Sequence, residues 1–239
     1  MVLENKSYSQ FGEDIELADF FGNAYCGYYV DVGANDGLRD SNTALLEARG
    51  WKGVLVEANG GLAQKAARHR PNSKVVHAAV LEKDSAEPVL FYQVSGESEN
   101  LNGLSTSMPS GDWREKVGRY GARVQEVPMP VKSLESLFLE HSVPNHFDLL
   151  SVDVEGVEMA VLKGLDWGRW HPRLIILEDN HRNCCSEVRN FLAARGYIRV
   201  HRTGVNDWYC RKRDKSKFFR ERIFLWMRLL KWKIQDKML

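Results

Sequence analysis

Acidic residues stand at or just after the ends of several apolar runs in the sequence. They are Asp31, Glu57, Asp153, Glu178 and Asp179. Carboxylates in such positions can bind cations or hydroxyl groups, hold a metal ion or accept a proton. Asp31 belongs to residues 28–37, YYVDVGANDG, where an apolar run ends abruptly in glycines. Glycine-rich turns after a strand commonly bind a nucleotide, so the type of nucleotide is the first question that the sequence raises.

These acids belong to an alternating series of predicted strands and helices. We predict strands over residues 28–32, 53–57, 75–81, 89–94, 125–131, 147–152, 174–177, 197–201 and 207–210. We predict helices over residues 13–21, 41–49, 62–69, 133–141, 157–162 and 186–195. Strands that alternate with helices predict an α/β fold, with a mostly parallel sheet and helices on both faces. In such sheets ligands bind beyond the carboxyl ends of the strands, which is where the acids lie.

The composition is that of a folded globular protein. The 239 residues are 44% hydrophobic and 27% charged, which suits one α/β domain with a single core. The net charge of +1 is unevenly distributed, because 11 Lys/Arg but only three Asp/Glu lie from Arg211 onward. Residues 1–210 therefore carry about −7, and such an acidic body argues against nucleic acid as its partner.

The cysteines and the N-terminal residues indicate a cytoplasmic protein. None of the four cysteines is part of a C-x-x-C pair, which argues against a zinc site or a disulfide framework. The N-terminal residues MVLENKSYSQFGED lack a basic start followed by an apolar run, so we expect no signal peptide. No uninterrupted apolar stretch approaches the roughly 20 residues that span a bilayer.

The glycine turn lacks the features of a phosphate site. A dinucleotide-binding turn reads G-x-G-x-x-G, whereas the sequence from Gly33 is G-A-N-D-G. Asp31 and Asp36 would repel a phosphate, and no lysine or arginine in the turn compensates. S-adenosylmethionine fits better, because its amino group and its sulfonium are both cationic. Glu57, 20 residues beyond Gly37, ends the next strand, where its carboxylate can accept both ribose hydroxyls.

The same residues have a purely structural alternative. Gly33 and Gly37 could only make a tight turn, and Glu57 could be a solvated strand end. Their combination at this spacing, between two buried strands, favours a bound ligand.

Four ordered motifs resemble those of a known family. SQFGED, YYVDVGANDG, SNTALLEARGWKGVLVEAN and DLLSVDVEGVEMAVLKGLDW are similar to sequences of the FkbM family of S-adenosylmethionine-dependent methyltransferases. The resemblance runs from about Tyr8 to Cys210, which is most of the chain. It implies a class I methyltransferase (Rossmann-like) fold with seven strands, of which the last is antiparallel. It also implies O-methylation, usually of sugars or natural-product scaffolds.

The resemblance further implies which residues contact the cofactor. They are Gln10, Asp31, Gly33, Asn35, Gly37, Asn42 and Glu57. Glu57 would hold the ribose, Gln10 and Asn42 would lie near the polar end of the cofactor, and the other residues would line its methionine side. The sequence departs from the family after Glu57, where members commonly carry a proline and this chain reads Ala58-Asn-Gly-Gly61.

A hydroxyl acceptor is a very weak acid, so methyl transfer to it needs a base or a metal ion. Asp153, Asp179 and Asn180 resemble the ligand set of metal-dependent class I O-methyltransferases. Their hard oxygen donors suit Mg²⁺, Mn²⁺ or Ca²⁺. The alternative is an acidic cluster that shapes the pocket without a metal. The lysine base that such enzymes often place three residues past the first aspartate is absent, because Gly156 stands there.

Three residues are candidates for proton transfer. His181 follows the proposed metal ligands directly and is neutral near pH 7, although a histidine in that position can equally be a surface residue. Asp153 and Glu155 follow the earlier predicted strand, over residues 147–152, and Glu155 is the rival base or a supporting carboxylate. His77 is interpreted as a core or adenine-side residue. The polar loop over residues 95–112 is predicted to close over the acceptor, with a surface loop as the alternative.

We divide the chain into a methyltransferase domain over residues 1–212 and a basic amphipathic C-terminal helix over residues 213–239. The helix carries two apolar stripes with basic residues between them. Its second stripe could contact an anionic membrane surface or a second subunit, which would make the protein a homodimer. The alternative is a helix that docks on its own core. Membrane contact would place the protein at the inner face of the membrane.

The function expected from the sequence is therefore S-adenosylmethionine-dependent O-methylation of a sugar or glycan-type hydroxyl. A divalent cation such as Mg²⁺ is the second expected cofactor. The alternatives are O-methylation of a non-sugar natural product, and a non-catalytic module that binds S-adenosylmethionine.

Overall fold

The computed structural model describes residues 7–22, 24–95, 105–107, 109, 111–179 and 186–216. The strands within these residues are β1 (Tyr28–Val32), β2 (Lys52–Glu57), β3 (Lys74–His77), β4 (Ala79–Val80), β5 (Ser85–Ser95), β6 (Arg123–Lys132), β7 (Leu149–Val152), β8 (Leu174–Glu178), β9 (Tyr197–Thr203) and β10 (Asn206–Arg211). The helices are α1 (Glu13–Phe21), α2 (Ala44–Ala48), α3 (Gly60–His69), α4 (Gly111–Arg119), α5 (Leu134–Glu140), α6 (Glu158–Lys163) and α7 (Ser186–Ala193).

The main sheet has seven strands in the order β3-β2-β1-β7-β8-β10-β9. Strands β3, β2, β1, β7 and β8 are parallel, and β10 is antiparallel to both of its neighbours. This confirms the predicted seven-stranded, mostly parallel sheet of the class I methyltransferase fold. The chain order reverses at β1, which has β2 on one side and β7 on the other. A reversal of this kind opens a crevice at the carboxyl ends of the strands.

Helices cover both faces of the main sheet, as predicted. Val30 and Val32 of β1 belong to the core on one face, together with side chains of α5, α6 and α7. Tyr29 belongs to the core on the other face, together with side chains of α1, α2 and α3. Since both faces of the sheet are buried, the central strands are continuous apolar runs, which explains why the sequence pattern identified them.

A second, smaller sheet has the order β4-β6-β5 and was not predicted. The sequence pattern predicted one strand over residues 75–81, but the structure divides it between the two sheets. β3 pairs with β2 in the main sheet, whereas Ala79 and Val80 pair with β6. Both segments are apolar, so their separation at Ala78 depends on their pairing partners and not on local sequence. Ala79 packs there against Phe91 and Met129.

Two helices differ from the sequence prediction. The helix predicted over residues 41–49 begins only at Ala44. The Ser41 hydroxyl accepts hydrogen bonds from the backbone N–H groups of Thr43 (3.3 Å) and Ala44 (3.1 Å), and these bonds form a turn in front of the helix. Helix α4 was missed in the sequence. Its buried side chains, Trp113 and Val117, have the i, i+4 spacing that could have indicated it.

A buried arginine after α3 joins β1, α2 and the glycine turn. Arg70 is 2% exposed and forms an ion pair with Glu47, Nε to Oε2, at 2.8 Å. Its other guanidinium nitrogens donate to the Gly37 carbonyl (2.8 Å), the Tyr29 hydroxyl (2.6 Å) and the Thr43 hydroxyl (3.0 Å). The planar fork of donors suits such a set of partners around one side chain. Arg70 therefore fixes the back of the glycine turn from inside the core.

Several predictions lie outside the described residues. These are the roles of Asn180 and His181, most of the loop over 95–112, and the C-terminal helix beyond residue 216. In the part of the chain that is described, no helix is both long and apolar enough to cross a membrane.

Candidate active site

A cavity of about 390 Å³ lies at the carboxyl ends of β1, β2, β7 and β8. It occupies the crevice beside β1 where the strand order reverses. Each of these strands contributes an acid to its wall, in chain order Asp31, Glu57, Asp153 and Glu178. The sequence indicated that acids cluster at the strand ends, and the structure places these four acids in the wall of one cavity.

The glycine turn after β1 is shaped by close contacts with protein. Gly33 has φ +86°, and a Cβ at this position would lie 1.7 Å from the Asp153 carbonyl oxygen. Gly37 has φ +82°, and its Cβ would lie 2.9 Å from Cγ of Arg70. Gly33 lines the cavity, whereas Gly37 is buried behind it and is absent from the cavity wall. Gly37 thus shapes the turn through its packing against Arg70, and the cofactor contact that the resemblance implied stays a prediction.

Glu57 is held in a defined orientation by the backbone. Its carboxylate accepts hydrogen bonds from the N–H groups of Asn35 (2.8 Å) and Asn59 (2.7 Å). Burial raises the pKa of Glu57 to about 7, although these two hydrogen bonds act in the opposite direction. Each carboxylate oxygen keeps a lone pair that can accept a further hydrogen bond. The arrangement suits a pair of vicinal hydroxyls, as in ribose.

A cluster of carboxylates forms another part of the wall. One oxygen each from Asp153, Glu155 and Glu178 lie within 4.8 Å of one another. Although part of the Asp153 side chain is open to the cavity, the surrounding protein raises its pKa well above the usual value, and the charges of Glu178 and Glu155 add to this. A hydrogen bond between Asp153 and Glu178 raises the pKa of Asp153 further. Ionised Asp153 can therefore accept a proton nearer neutral pH than an isolated carboxylate can.

The sequence profile described as the methyltransferase FkbM domain matches residues 31–199. The chain belongs to the FkbM methyltransferase family. Family and fold are those of S-adenosylmethionine-dependent methyltransferases, so the cavity of this FkbM methyltransferase is the expected cofactor site.

Solved methyltransferase structures resemble the chain remotely. A putative RNA methyltransferase from Pyrococcus horikoshii has a TM-score of 0.43 and 8% identity, over 87% of this chain and 86% of that chain. Precorrin-6y C5,15-methyltransferase from Geobacter metallireducens has a TM-score of 0.41 and 10% identity, over 87% and 90%. An S-adenosylmethionine-dependent methyltransferase from Thiobacillus denitrificans, in complex with S-adenosyl-L-homocysteine, has a TM-score of 0.37 and 11% identity, over 98% and 80%. No curated protein matches the chain significantly.

Most of the sequence-predicted cofactor residues of this FkbM methyltransferase share the cavity wall. They are Gln10, Asp31, Gly33, Asn35, Asn42 and Glu57. The departure from the family after Glu57 has a structural explanation, because the Asn59 side chain caps α3 by accepting from the N–H groups of Gly61 (3.0 Å) and Leu62 (3.2 Å). One part of the cavity wall is apolar and suits an adenine ring. It consists of Ala58, Leu62, Ala78, Ala79 and Val80. His77 lies next to this wall, with Nε2 3.0 Å from the Ala58 carbonyl oxygen.

Of the predicted metal ligands, Asp153 lines the cavity, Asp179 does not, and Asn180 lies outside the described residues. Asp179 is buried and lies outside the cavity wall, with Oδ2 3.9 Å from Nη1 of Arg202. Its backbone carbonyl accepts a hydrogen bond from the same guanidinium (2.7 Å). Strand β8 extends to Glu178, one residue further than predicted, and successive side chains of a strand point in opposite directions. Glu178 therefore occupies the place that the sequence interpretation gave to Asp179, and the described residues do not support the predicted Mg²⁺ site.

Several cavity residues were missed in the sequence. Glu178 was noted as a strand-end acid but received no role. Ser105 and Ser107, from the loop predicted to close over the acceptor, lie in the cavity wall, and Thr106 between them is anchored by backbone hydrogen bonds to Tyr92 and by donation from its hydroxyl to the Glu155 carbonyl (3.1 Å). Phe91, Arg39, Asp40 and Val205 also line the cavity and received no role from the sequence. Phe91 and Val205 lie far from the glycine turn in the chain, so no local pattern marks them.

We expect Glu57→Gln to weaken binding of S-adenosylhomocysteine by about 10-fold to about 100-fold, since it removes a charged hydrogen-bond acceptor for ribose. Binding to the wild-type protein should strengthen as the pH rises through about 7, where Glu57 ionises. In the absence of ligand, the same ionisation lowers the stability of the fold as pH rises from 4.5 to about 7, because the folded state binds the proton more tightly.

Isothermal titration calorimetry across this pH range checks both expectations. S-Adenosylhomocysteine is the suitable ligand, because it lacks the sulfonium charge to which the other carboxylates would respond. A Glu57→Gln protein with wild-type affinity, or with an unchanged pH profile, would contradict the ribose assignment.

Proposed function

We propose that this protein transfers the methyl group of S-adenosylmethionine to a hydroxyl of a sugar or glycan-type acceptor. The observation that supports this most directly is the position of the Asp153–Glu178 pair. It shares one cavity with Glu57, the candidate ribose ligand, and it lies at the crevice beside β1. A group suited to bind an adenosyl cofactor and a group suited to accept a proton thus face the same space.

The chemistry of the pair suits a hydroxyl acceptor. When bound, S-adenosylmethionine supplies an electrophilic methyl group on a cationic sulfur. Glu57 would hold the ribose of the cofactor, and the methyl group would pass to the acceptor oxygen while the electrons of its bond to sulfur stay with sulfur. The hydroxyl proton passes to the ionised carboxylate of Asp153 and then to water. The raised pKa of Asp153 brings its basicity closer to that needed for this proton transfer.

The remaining wall of the cavity favours a polar acceptor. The hydroxyls of Ser105 and Ser107, the amide of Gln10 and the charged side chains of Arg39 and Asp40 can hydrogen-bond a polyol. Phe91 and Val205 supply apolar surface within the same wall. A non-sugar hydroxyl on a natural product remains the alternative acceptor.

Methyl transfer can be measured with methyl-labelled S-adenosylmethionine and a panel of free, nucleotide-linked and lipid-linked sugars, together with non-sugar hydroxyl compounds. We expect label in at least one sugar, and we expect Asp153→Asn to lower its turnover by about 100-fold, because the proton acceptor is lost. Cofactor affinity measured by calorimetry should change much less. Asp166→Asn is the matched control, since Asp166 is exposed and lies outside the cavity wall.

Each possible result separates one alternative from the others. Label that enters only non-sugar hydroxyl compounds would favour the natural-product alternative. Cofactor binding without transfer to any acceptor would favour a non-catalytic module. Absence of cofactor binding in the wild-type protein would overturn the proposal altogether.

A further inference from the structure

Two hydroxyl groups behind the cavity wall contact the carboxylate of Asp31. The Thr43 hydroxyl donates to Asp31 Oδ2 at 2.6 Å, and the Ser151 side chain hydrogen-bonds to the same carboxylate. Asp31 is 5% exposed and lines the cavity, whereas Thr43 and Ser151 are fully buried and do not. The carboxylate is therefore held from behind, on the side away from the ligand.

The direction of the first hydrogen bond is fixed by its partner. The Thr43 hydroxyl accepts a hydrogen bond from Nη2 of Arg70 at 3.0 Å. A guanidinium can only donate and a hydroxyl has a single proton, so the proton of Thr43 remains for Asp31. The chain of donors thus runs from Arg70 through Thr43 to the carboxylate.

A second chain of donors has the same form. The Asn42 amide donates to the Ser151 hydroxyl at 3.2 Å, which leaves the proton of Ser151 for Asp31. Asn42 comes from the turn before α2, and Ser151 comes from β7. Elements on two sides of β1 therefore direct hydrogen bonds toward the same carboxylate.

These hydrogen-bond donors oppose the effect of burial on the pKa of Asp31. Burial raises the pKa of Asp31, and the hydrogen bond from Thr43 and the charge of Arg70 lower it. Among the described residues, the other charged groups of the cavity wall are the Arg39 guanidinium and five carboxylates, those of Asp40, Glu57, Asp153, Glu155 and Glu178, and Glu47 lies beside Arg70. Like charges favour the protonated form, so the donor chains are the main influence that keeps Asp31 ionised.

We propose that Thr43 and Arg70 are positioning residues that hold Asp31 as an oriented carboxylate facing the cationic part of S-adenosylmethionine. Neither residue lines the cavity, and both act through Asp31. Asn42 and Ser151 form the parallel chain. This inference rests on the proposed use of S-adenosylmethionine and extends it to residues behind the binding surface.

Thr43→Val tests the proposal, because valine has the shape of threonine and lacks the hydroxyl. Calorimetric titration with S-adenosylmethionine should run from about pH 6 to about pH 9. We expect Thr43→Val to bind about 10-fold more weakly near pH 7 and to recover affinity as the pH rises, since Asp31 then ionises at higher pH. Thr43→Ser keeps the hydroxyl and should restore the wild-type affinity and pH profile.

Two further variants complete the experiment. Ser151→Ala removes the other hydroxyl and should shift the pH profile in the same direction, which keeps the test valid if Thr43→Val fails to fold. Thr203→Val is the matched control, because its hydroxyl bonds to His201 on β9, away from the cavity wall.

The proposal is overturned if Thr43→Val and Ser151→Ala both keep the wild-type affinity and profile, or if Thr43→Ser is impaired as severely as Thr43→Val. A wild-type protein that does not bind S-adenosylmethionine would overturn the proposed function, and this inference with it. The two kinds of failure are therefore distinguishable.

Discussion

Gly33→Ala should destabilise the fold by about 2–5 kcal/mol and abolish cofactor binding. The added Cβ would lie 1.7 Å from the Asp153 carbonyl oxygen, a contact that only backbone movement can relieve. The φ of +86° adds the strain of a left-handed conformation, about 1–2 kcal/mol for a residue with a Cβ. Forced displacement in a packed region typically costs a further 1–3 kcal/mol or so. Because Gly33 and Asp153 both line the cavity, the displacement would also distort the binding site.

Gly196→Ala separates the strain of a positive φ from the effect of the contact with Asp153. Gly196 has a similar φ of +83°, but nothing lies within 4 Å of the position of its Cβ. It follows α7, outside the cavity wall, so its substitution should cost only the conformational strain of about 1–2 kcal/mol and leave binding intact. Urea denaturation and titration with S-adenosylmethionine measure the two quantities. Equal losses of stability in the two variants would show that the contact with Asp153 is unimportant.

The second large effect is expected for Arg70→Ala. The substitution leaves the Glu47 carboxylate without its cation in a buried environment, where breaking an ion pair costs about 3–5 kcal/mol. It also removes the donors to the Gly37 carbonyl and to the Thr43 hydroxyl. We therefore expect a large loss in the free energy of unfolding, accompanied by weaker binding of S-adenosylmethionine.

Arg119→Ala is the matched control, because it breaks another arginine–glutamate pair of nearly the same length. Arg119 Nη2 lies 2.9 Å from Glu115 Oε1, but the two side chains are 72% and 68% exposed. An exposed pair on one helix contributes no more than about 0.5 kcal/mol. Similar losses in the two arginine variants, measured by chemical denaturation, would contradict the importance assigned to burial.

The carboxylates of the cavity fall into two sets with different surroundings. Glu57 lines the cavity beside the apolar wall that Ala58 and Leu62 help to form, and Asp153, Glu155 and Glu178 form a separate cluster. Glu57 suits the recognition of hydroxyl groups, because backbone N–H groups orient its carboxylate. The second set suits proton transfer, because burial and the charges of Glu178 and Glu155 raise the pKa of Asp153. Different surroundings thus give carboxylates of one cavity different roles.

The sequence by itself determined the architecture of the sheet and the location of the site. The central strands are buried on both faces, so they are continuous apolar runs that local pattern reveals. The turn after Val32 needs glycine where the backbone adopts positive φ, and Glu57 ends the neighbouring strand. These features depend on residues close together in the chain, which is why sequence alone indicates them.

The tertiary structure decided which side chains meet. Glu178 faces the cavity and Asp179 turns toward Arg202, because the end of β8 is set by its pairing with β7 and β10. Arg70 finds its partner Glu47 23 residues earlier in the chain, a contact that no local spacing announces. Residues 75–81 divide between two sheets for the same reason. Side-chain direction and long-range partners follow from how elements pack, and packing is a property of the whole chain.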